Sequence, residues 1–331
     1  MVTIRDVARH AQVSISTVSR VLNETDHAVS PETRKKVLQA IEELGFIPNA
    51  MARGLHHNKT KTIGLIIQDI SNPYYPSIVR GVEDEAQELG YTVILANVYR
   101  SKERTAKYLN VFREKRVDGI IFTGGGVVKD AVEEKFFEQT SISTVVIGKP
   151  CNVKLPSIQI NNVQSSREAC EYLLKLGHRQ IVTITGPAES TTTIDRLEGY
   201  QQALKRHGIE PEKRLIIQGN FEYNSGYKAV QEFPEIGRGK VTALFAQNDM
   251  MAIGAMKALQ EKGLRVPEDI AIIGFDNIPL SSFVTPALST VDVPVYEMGK
   301  TAMRMLADIL NGHEVSRLVT LPTRLAIRQS C

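Results

Sequence analysis

The hydrophobic positions of the chain keep helical spacing at first and strand-and-helix alternation afterwards. Ile4, Val7, Ala8 and Ala11 share one helix face, and Val18, Val21 and Leu22 form a narrow stripe over residues 15–23. Val37, Ile41 and Leu44 mark a third helix that opens at Ser30-Pro31 and stops at Gly45. Thr3 and Asp6 have the spacing of a capping box, and the turn Gln12-Val13-Ser14 makes the first two helices a predicted helix-turn-helix. From Thr62 onward, apolar runs at 63–67, 91–96, 119–122, 181–184, 215–218, 243–246, 270–274 and 318–321 read as strands. Helical patterns at 76–89, 102–115, 163–176, 196–207, 225–232, 250–262 and 296–310 lie between them. Wholly apolar strands separated by helices predict parallel sheets covered on both faces. The series restarts after Ile160, which predicts an α/β core of two doubly wound subdomains behind an all-α N-terminal domain.

The second helix carries the first chemical signal. It is too polar for a core and too short to stand alone in water. Its hydroxyls at Ser16 and Thr17, with Arg20 and Asn23, are the groups that base edges and phosphates require, whereas a purely structural helix pair needs none of them. Composition adds little: 331 residues suit two or three domains, and a formal charge of +3 permits an acidic partner without requiring one. The N-terminus has no apolar signal segment, and no apolar run is long enough to span a bilayer, so a cytoplasmic protein without a membrane role is expected. Cys151, Cys170 and Cys331 form no Cys-x-x-Cys, and His56-His57 lacks a third ligand nearby, so neither metal nor cofactor is expected.

The run Thr3-Ile4-Arg5-Asp6-Val7-Ala8, then Val13-Ser14, then Thr17 to Asn23, resembles the lactose/galactose-repressor (LacI/GalR) family. The resemblance continues through Val29 to Arg34, Leu44 to Asn49 and Ala52 to Leu55, and extends with gaps over the whole chain; Arg9 departs from it, where many members carry a smaller residue. It implies a helix-turn-helix DNA-binding domain at 1–47 and a hinge helix and linker at 48–61. The core at 62–331 is then like periplasmic sugar-binding proteins, with one subdomain at about 62–160 and 293–321 and the other at about 163–290 and 323–331. It implies base reading by Ile15, Ser16 and Arg20, and phosphate positioning by Asn23, Ser30 and Thr33, although Ser30 also reads as a helix cap and Ile15 equally as helix-pair core. Arg20 suits guanine, whose O6 and N7 a guanidinium grips together. In the hinge, Ala52 and Leu55 are implied to meet DNA, with Leu55 as a wedge in the minor groove.

In open parallel sheets, ligands bind beyond the carboxyl ends of the strands. Those ends hold Asp69 to Tyr75, with Tyr74 and Tyr75, then Asn97, the run Thr123 to Gly126, Ser190 to Arg196 with Thr192, Phe221, Gln247-Asn248-Asp249 and Asp276-Asn277. A carboxylate, an amide, a guanidinium and aromatic rings suit a polyol. The resemblance places Arg196, Asn248 and Asp276 at sugar-gripping positions and Phe221 at a stacking position. Purine-responsive members carry arginine where Ser190 stands, which turns the expectation away from a purine. Asp249 reads as a helix N-cap rather than a ligand contact.

These readings predict a repressor of carbohydrate-use genes. It binds a pseudo-palindromic double-stranded operator as a homodimer, under control of a small sugar-like effector. A tetramer is not expected, because no heptad-like helix follows the core. A sugar phosphate, a nucleobase or a protein partner is the alternative controller. An enzyme is not expected, since no Ser-His-Asp spacing, nucleophile elbow or metal set is present. A periplasmic binding protein would carry a secretion signal and no DNA reader.

Overall fold

The structure, a computed structural model, describes residues 2–23 (the Asn23 side chain excepted), 29–46, 59–124, 140–150, 155–236 and 239–331. The chain divides into two compact units, Met1–Lys61 and Thr62–Cys331. The predicted hinge at 48–55, with Ala52 and Leu55, lies outside the described residues.

The first unit contains α1 (Ile4–His10), α2 (Ile15–Asn23) and α3 (Pro31–Leu44). Each start is fixed by a side chain that satisfies a backbone group the helix leaves open. The Asp6 carboxylate accepts from the Thr3 N–H at 2.9 Å and from the Thr3 hydroxyl at 2.7 Å. The Ser14 hydroxyl accepts from the Thr17 N–H at 3.1 Å, and that of Ser30 from the Thr33 N–H at 3.2 Å. Gly45 ends α3 at φ 60°, a left-handed conformation that a side chain disfavours. Val7, Ala8, Ala11, Val18, Val21, Val37 and Ala40 are the buried centre, so all three helices meet on the stripes read from their spacing.

The second unit holds two six-stranded sheets. The first uses β1 (Thr62–Ile67), β2 (Thr92–Asn97), β3 (Gly119–Thr123), β4 (Ser143–Ile147), β5 (Ser157–Ile160) and β11 (Leu318–Leu321), in the order β11-β5-β4-β3-β1-β2. The second uses β6 (Ile181–Thr185), β7 (Ile216–Gln218), β8 (Ala243–Ala246), β9 (Ala271–Asp276), β10 (Ser289–Asp292) and β12 (Arg324–Ala326), in the order β12-β10-β9-β8-β6-β7. All ladders are parallel except β10 with β12, which is antiparallel. The helices are α4 (Tyr74–Glu88), α5 (Lys102–Lys115), α6 (Asn162–Lys175), α7 (Thr191–Arg206), α8 (Tyr223–Glu232), α9 (Asp249–Glu261) and α10 (Val295–Leu310). The chain passes from one sheet to the other between β5 and α6, between β10 and α10, and between β11 and β12.

Three expectations are corrected. Four strands, β4, β5, β10 and β12, are absent from the sequence reading, and β12 makes the second sheet mixed. α4 begins at Tyr74 rather than Pro76, and α7 at Thr191 rather than Arg196. The second shift matters to the site, because it puts Thr192 and Arg196 four residues apart on one helix face.

Helices α4 and α10 approach closely at two glycines: a Cβ on Gly81 would fall on the Tyr296 carbonyl, and one on Gly299 on the Ile78 carbonyl. Gly299→Ala is therefore expected to force the helices apart at a cost of about 1–3 kcal/mol. Thermal unfolding followed by circular dichroism should show a melting midpoint several degrees lower, and an unchanged midpoint would contradict this packing.

Candidate functional site

In the first unit, α2 turns its apolar stripe inward: Val18 and Val21 are buried. Ser16 and Arg20 are exposed, Thr17 is half-buried, and Ile15 is 46% exposed, so Ile15 does not belong to the helix-pair core. The Ser14 hydroxyl lies 2.7 Å from that of Ser16 and 2.8 Å from that of Thr17, a hydroxyl cluster at the N-terminus of α2. Ser30 is exposed and caps α3, with its hydroxyl 2.8 Å from that of the half-buried Thr33.

In the second unit, each sheet reverses its strand order beside its first strand, between β1 and β3 in one and between β6 and β8 in the other. Such switch points open a crevice at the carboxyl ends of the strands. A cavity of about 250 Å³ lies there, lined from the first sheet's side by Gln68, Tyr74, Tyr75, Arg100, Thr123 and Lys149. From the second sheet's side come Ser190, Thr192, Arg196, Phe221, Asn248 and Asp276. Asp69 is not brought to the cavity: its carboxylate accepts from the Ser71 N–H at 3.0 Å and the Ser71 hydroxyl at 2.8 Å, closing a turn.

The floor of the cavity is an ionic pair. Arg196 is buried, its Nη2 3.3 Å from Asp276 Oδ1. Its Nε donates to Asn162 Oδ1 at 2.9 Å and its Nη1 to the Gln247 carbonyl, while its guanidinium carbon lies 3.5 Å from the Phe275 ring centre. Asp276 closes β9 at φ 114°, a conformation rare for a side-chain-bearing residue and common at binding sites. Burial pushes its carboxyl up to about 7, against the pull of Arg196, which favours the ionised form; the charge of Asp249 adds to the rise. Tyr74 and Tyr75 pack edge to face, 5.3 Å between ring centres. Burial raises both phenols, Tyr75 to about 12, so both remain neutral hydrogen-bonding groups.

The cap of α9 is one residue earlier than expected. Asn248 is the N-cap, with Oδ1 accepting from the Met251 N–H at 3.0 Å while Nδ2 donates to the Phe221 carbonyl at 2.9 Å. Asp249, expected as the cap, is the first helical residue and wholly buried. It accepts from the Ile278 N–H at 2.9 Å and from the Ser281 and Thr290 hydroxyls at 2.6 and 2.5 Å, a brace among α9, β10 and the turn after β9. Burial pushes it up to about 6, against these hydrogen bonds.

The sequence reading missed Gln68, Arg100, Lys149 and Asn162. Gln68 follows β1 directly and was readable from that position. Lys149 follows β4, a strand that was not recognised. Among the described residues no His/Cys/Asp/Glu cluster suits a metal ion, and no helix is long and apolar enough to cross a membrane.

A helix-turn-helix unit joined to a two-lobed α/β core defines a regulator that carries its own ligand cleft, and comparison with known proteins agrees. Residues 3–49 match the bacterial regulatory proteins of the lacI family, and residues 170–331 match a periplasmic binding protein-like domain. Catabolite control protein A of Priestia megaterium is 41% identical over 99% of each chain. The ribose operon repressor of Halalkalibacterium halodurans is 37% identical over 100% of this chain and 97% of its own length. Among solved structures, the lac repressor dimer bound to operator and the anti-inducer ONPF is 31% identical, with a TM-score of 0.90 over 99% of this chain and 98% of that one. The complex of the transcriptional regulator CelR with cellobiose is likewise 31% identical, with a TM-score of 0.76 over the full length of both chains. The chain belongs to the lacI family of bacterial regulatory proteins.

The carboxyl of Asp276 has a consequence for stability. Burial raises it above its usual value of 3.8 in the folded core, against the pull of Arg196. A carboxyl raised on folding binds more protons in the folded state than in the unfolded one, so stability is expected to fall as pH rises from that usual value toward neutrality. Asp249, pushed up to about 6, adds to this fall and His178, pushed down by burial, opposes it, so the share of Asp276 is read from its own variant. Asp276→Asn should flatten that fall in a pH series of melting midpoints; a mutant slope equal to that of the native chain would refute the assignment.

Proposed function

We propose that the chain is a sequence-specific DNA-binding repressor of carbohydrate-use genes that reads a pseudo-palindromic operator as a homodimer and answers to a small polyol in its core cleft. The carrying observation is that one chain holds both an exposed helix face bearing Ser16 and Arg20 and a cleft floored by the buried Arg196–Asp276 pair. On the reader, Arg20 takes guanine, Ser16 an adjacent base edge, and the exposed Ile15 a thymine methyl. Thr17, Ser30 and Thr33, with Asn23, position phosphates. Two such readers related by a two-fold axis require a two-fold site, as in the operator-bound lac repressor dimer.

In the cleft, Arg196 and Asn248 donate to hydroxyls, Asp276 accepts from them, and Phe221 presents an aromatic surface to C–H groups. Tyr74, Tyr75, Ser190 and Thr192 complete the hydrogen-bonding wall, and Asp69 stands behind it. The cellobiose bound by CelR, and the ribose in a LacI-family regulator from Enterococcus faecium, support a carbohydrate. That its relatives are transcriptional regulators supports a cleft that binds rather than catalyses. The protein works in the cytoplasm, where its DNA is.

Arg20→Ala is expected to relax specificity at one base pair of each half-site, by roughly 1–3 kcal/mol. Selection of binding sites from random DNA checks this; a mutant that still prefers the same base at every position removes Arg20 from base reading. Asp276→Ala leaves Arg196 buried without its carboxylate, at a cost on the order of 3–5 kcal/mol. It is expected to abolish the ligand response and leave operator affinity unchanged, read by gel shift with and without a panel of sugars. A full ligand response in that variant would place the effector elsewhere.

A further inference from the structure

Arg100 belongs to the lining of the cleft, yet nothing in the reading above uses it. It sits in the loop after β2, where Tyr99 and Arg100 take φ values of 51° and 55°, two consecutive left-handed residues that are not glycine. Phe221, opposite, is also left-handed at φ 68°. Backbone held in such conformations gathers at ligand sites. From its loop Arg100 crosses the cleft: Nη1 donates to the Asn220 carbonyl at 3.0 Å, and the guanidinium carbon lies 5.3 Å from the Phe221 ring centre.

The hydrogen bond occupies one donor group of an exposed guanidinium. Among the described residues, Arg100 has no carboxylate in ion-pair reach and its Nε and Nη2 have no protein acceptor. Two other cations of the lining are compensated, Arg196 by Asp276 at 3.3 Å and Lys149 by Asp195 at 2.9 Å. A planar fork with an open edge matches the two oxygens of a phosphate or carboxylate.

We propose, building on the cleft as the ligand site, that its ligand is an anionic polyol, a phosphate ester or a sugar acid, whose anion is held by Arg100 while the Arg196–Asp276 end takes its hydroxyls. The anion completes the coordination of Arg100 without displacing the Asn220 contact, so binding adds a charged link between the two lobes.

Calorimetric titration of the full chain tests this. The probes are ribose, glucose and galactose, their monophosphates, gluconate and galacturonate, and inorganic phosphate, at about 0.15 M salt. At least one anionic polyol is expected to bind roughly tenfold or more tightly than its neutral parent, and the phosphate and carboxylate arms show which anion it is. Arg100→Gln should lower that affinity roughly 10- to 100-fold, the loss of charge-assisted hydrogen bonds, and so narrow the difference between the anionic polyol and its neutral parent. Arg100→Lys keeps the charge but not the fork; it should fall between the two, and it decides the matter if the glutamine variant does not fold. A neutral sugar bound as tightly as its anionic form, or an anion bound equally well by Arg100→Gln, overturns the anion seat while leaving the cleft as a sugar site. Absence of binding by every probe overturns both.

Discussion

A guanidinium buried at the bottom of a cleft must find acceptors on all sides, because an unpaired charge there would cost several kcal/mol. Arg196 finds them in three separate parts of the chain: Asn162 at the start of α6, the Gln247 carbonyl after β8 and Asp276 at the end of β9. Phe275 closes the remaining face of its plane. The positions of these elements are thereby tied to one another. α7 must project its second turn toward the sheet end, the first passage between the sheets must bring Asn162 alongside, and β9 must end in the left-handed residue that turns its carboxylate inward. Asp249 extends the same logic one layer down, where its buried carboxylate collects two hydroxyls and a backbone N–H.

A cavity framed in this way is preformed, with its polar groups held in place by the protein itself. Around its mouth the contacts are of a different kind. Lys149 with Asp195 and Arg100 with Asn220 join the lobes through exposed or half-exposed side chains, where each contact contributes little alone. The floor therefore sets the geometry of the site, while the rim is where a small free-energy difference separates one arrangement of the lobes from another. A ligand shifts that balance only as far as it prefers one arrangement.

The sequence was most legible where period and chemistry coincide. The three helices of the reader follow from stripes of apolar residues bounded by Thr3, Ser30 and Gly45, and the parallel strands from runs such as 63–67 and 243–246. The strands that escaped notice are short and interrupted by polar residues, as in Ser157-Ile158-Gln159-Ile160 and Ser289-Thr290-Val291-Asp292. Their identity comes from the neighbours they pair with, which a local pattern does not contain. The same limit explains the site. Residues immediately after recognised strands were found by position, whereas Lys149 follows an unrecognised strand and Arg100 is aimed by backbone angles that composition does not announce. Asp69 stands outside the cavity lining because its carboxylate closes a turn with Ser71, a use that a strand-end aspartate serves as readily as a ligand.

The passage of the chain between the two sheets has a consequence for synthesis. The first sheet begins at Thr62 but takes its edge strand β11 from Leu318–Leu321, and the face of β3, β4 and β5 is covered by α10 at Val295–Leu310. Ile78, fully buried at the end and with its carbonyl against Gly299, lacks that neighbour until α10 has left the ribosome. The amino-terminal lobe thus waits, incompletely covered, while the other lobe is made, and long-range contacts of this kind are slow to form and open to misassembly. The last forty residues act as the fastener of the first lobe, so a prematurely terminated chain exposes apolar surface in the part that was translated earliest.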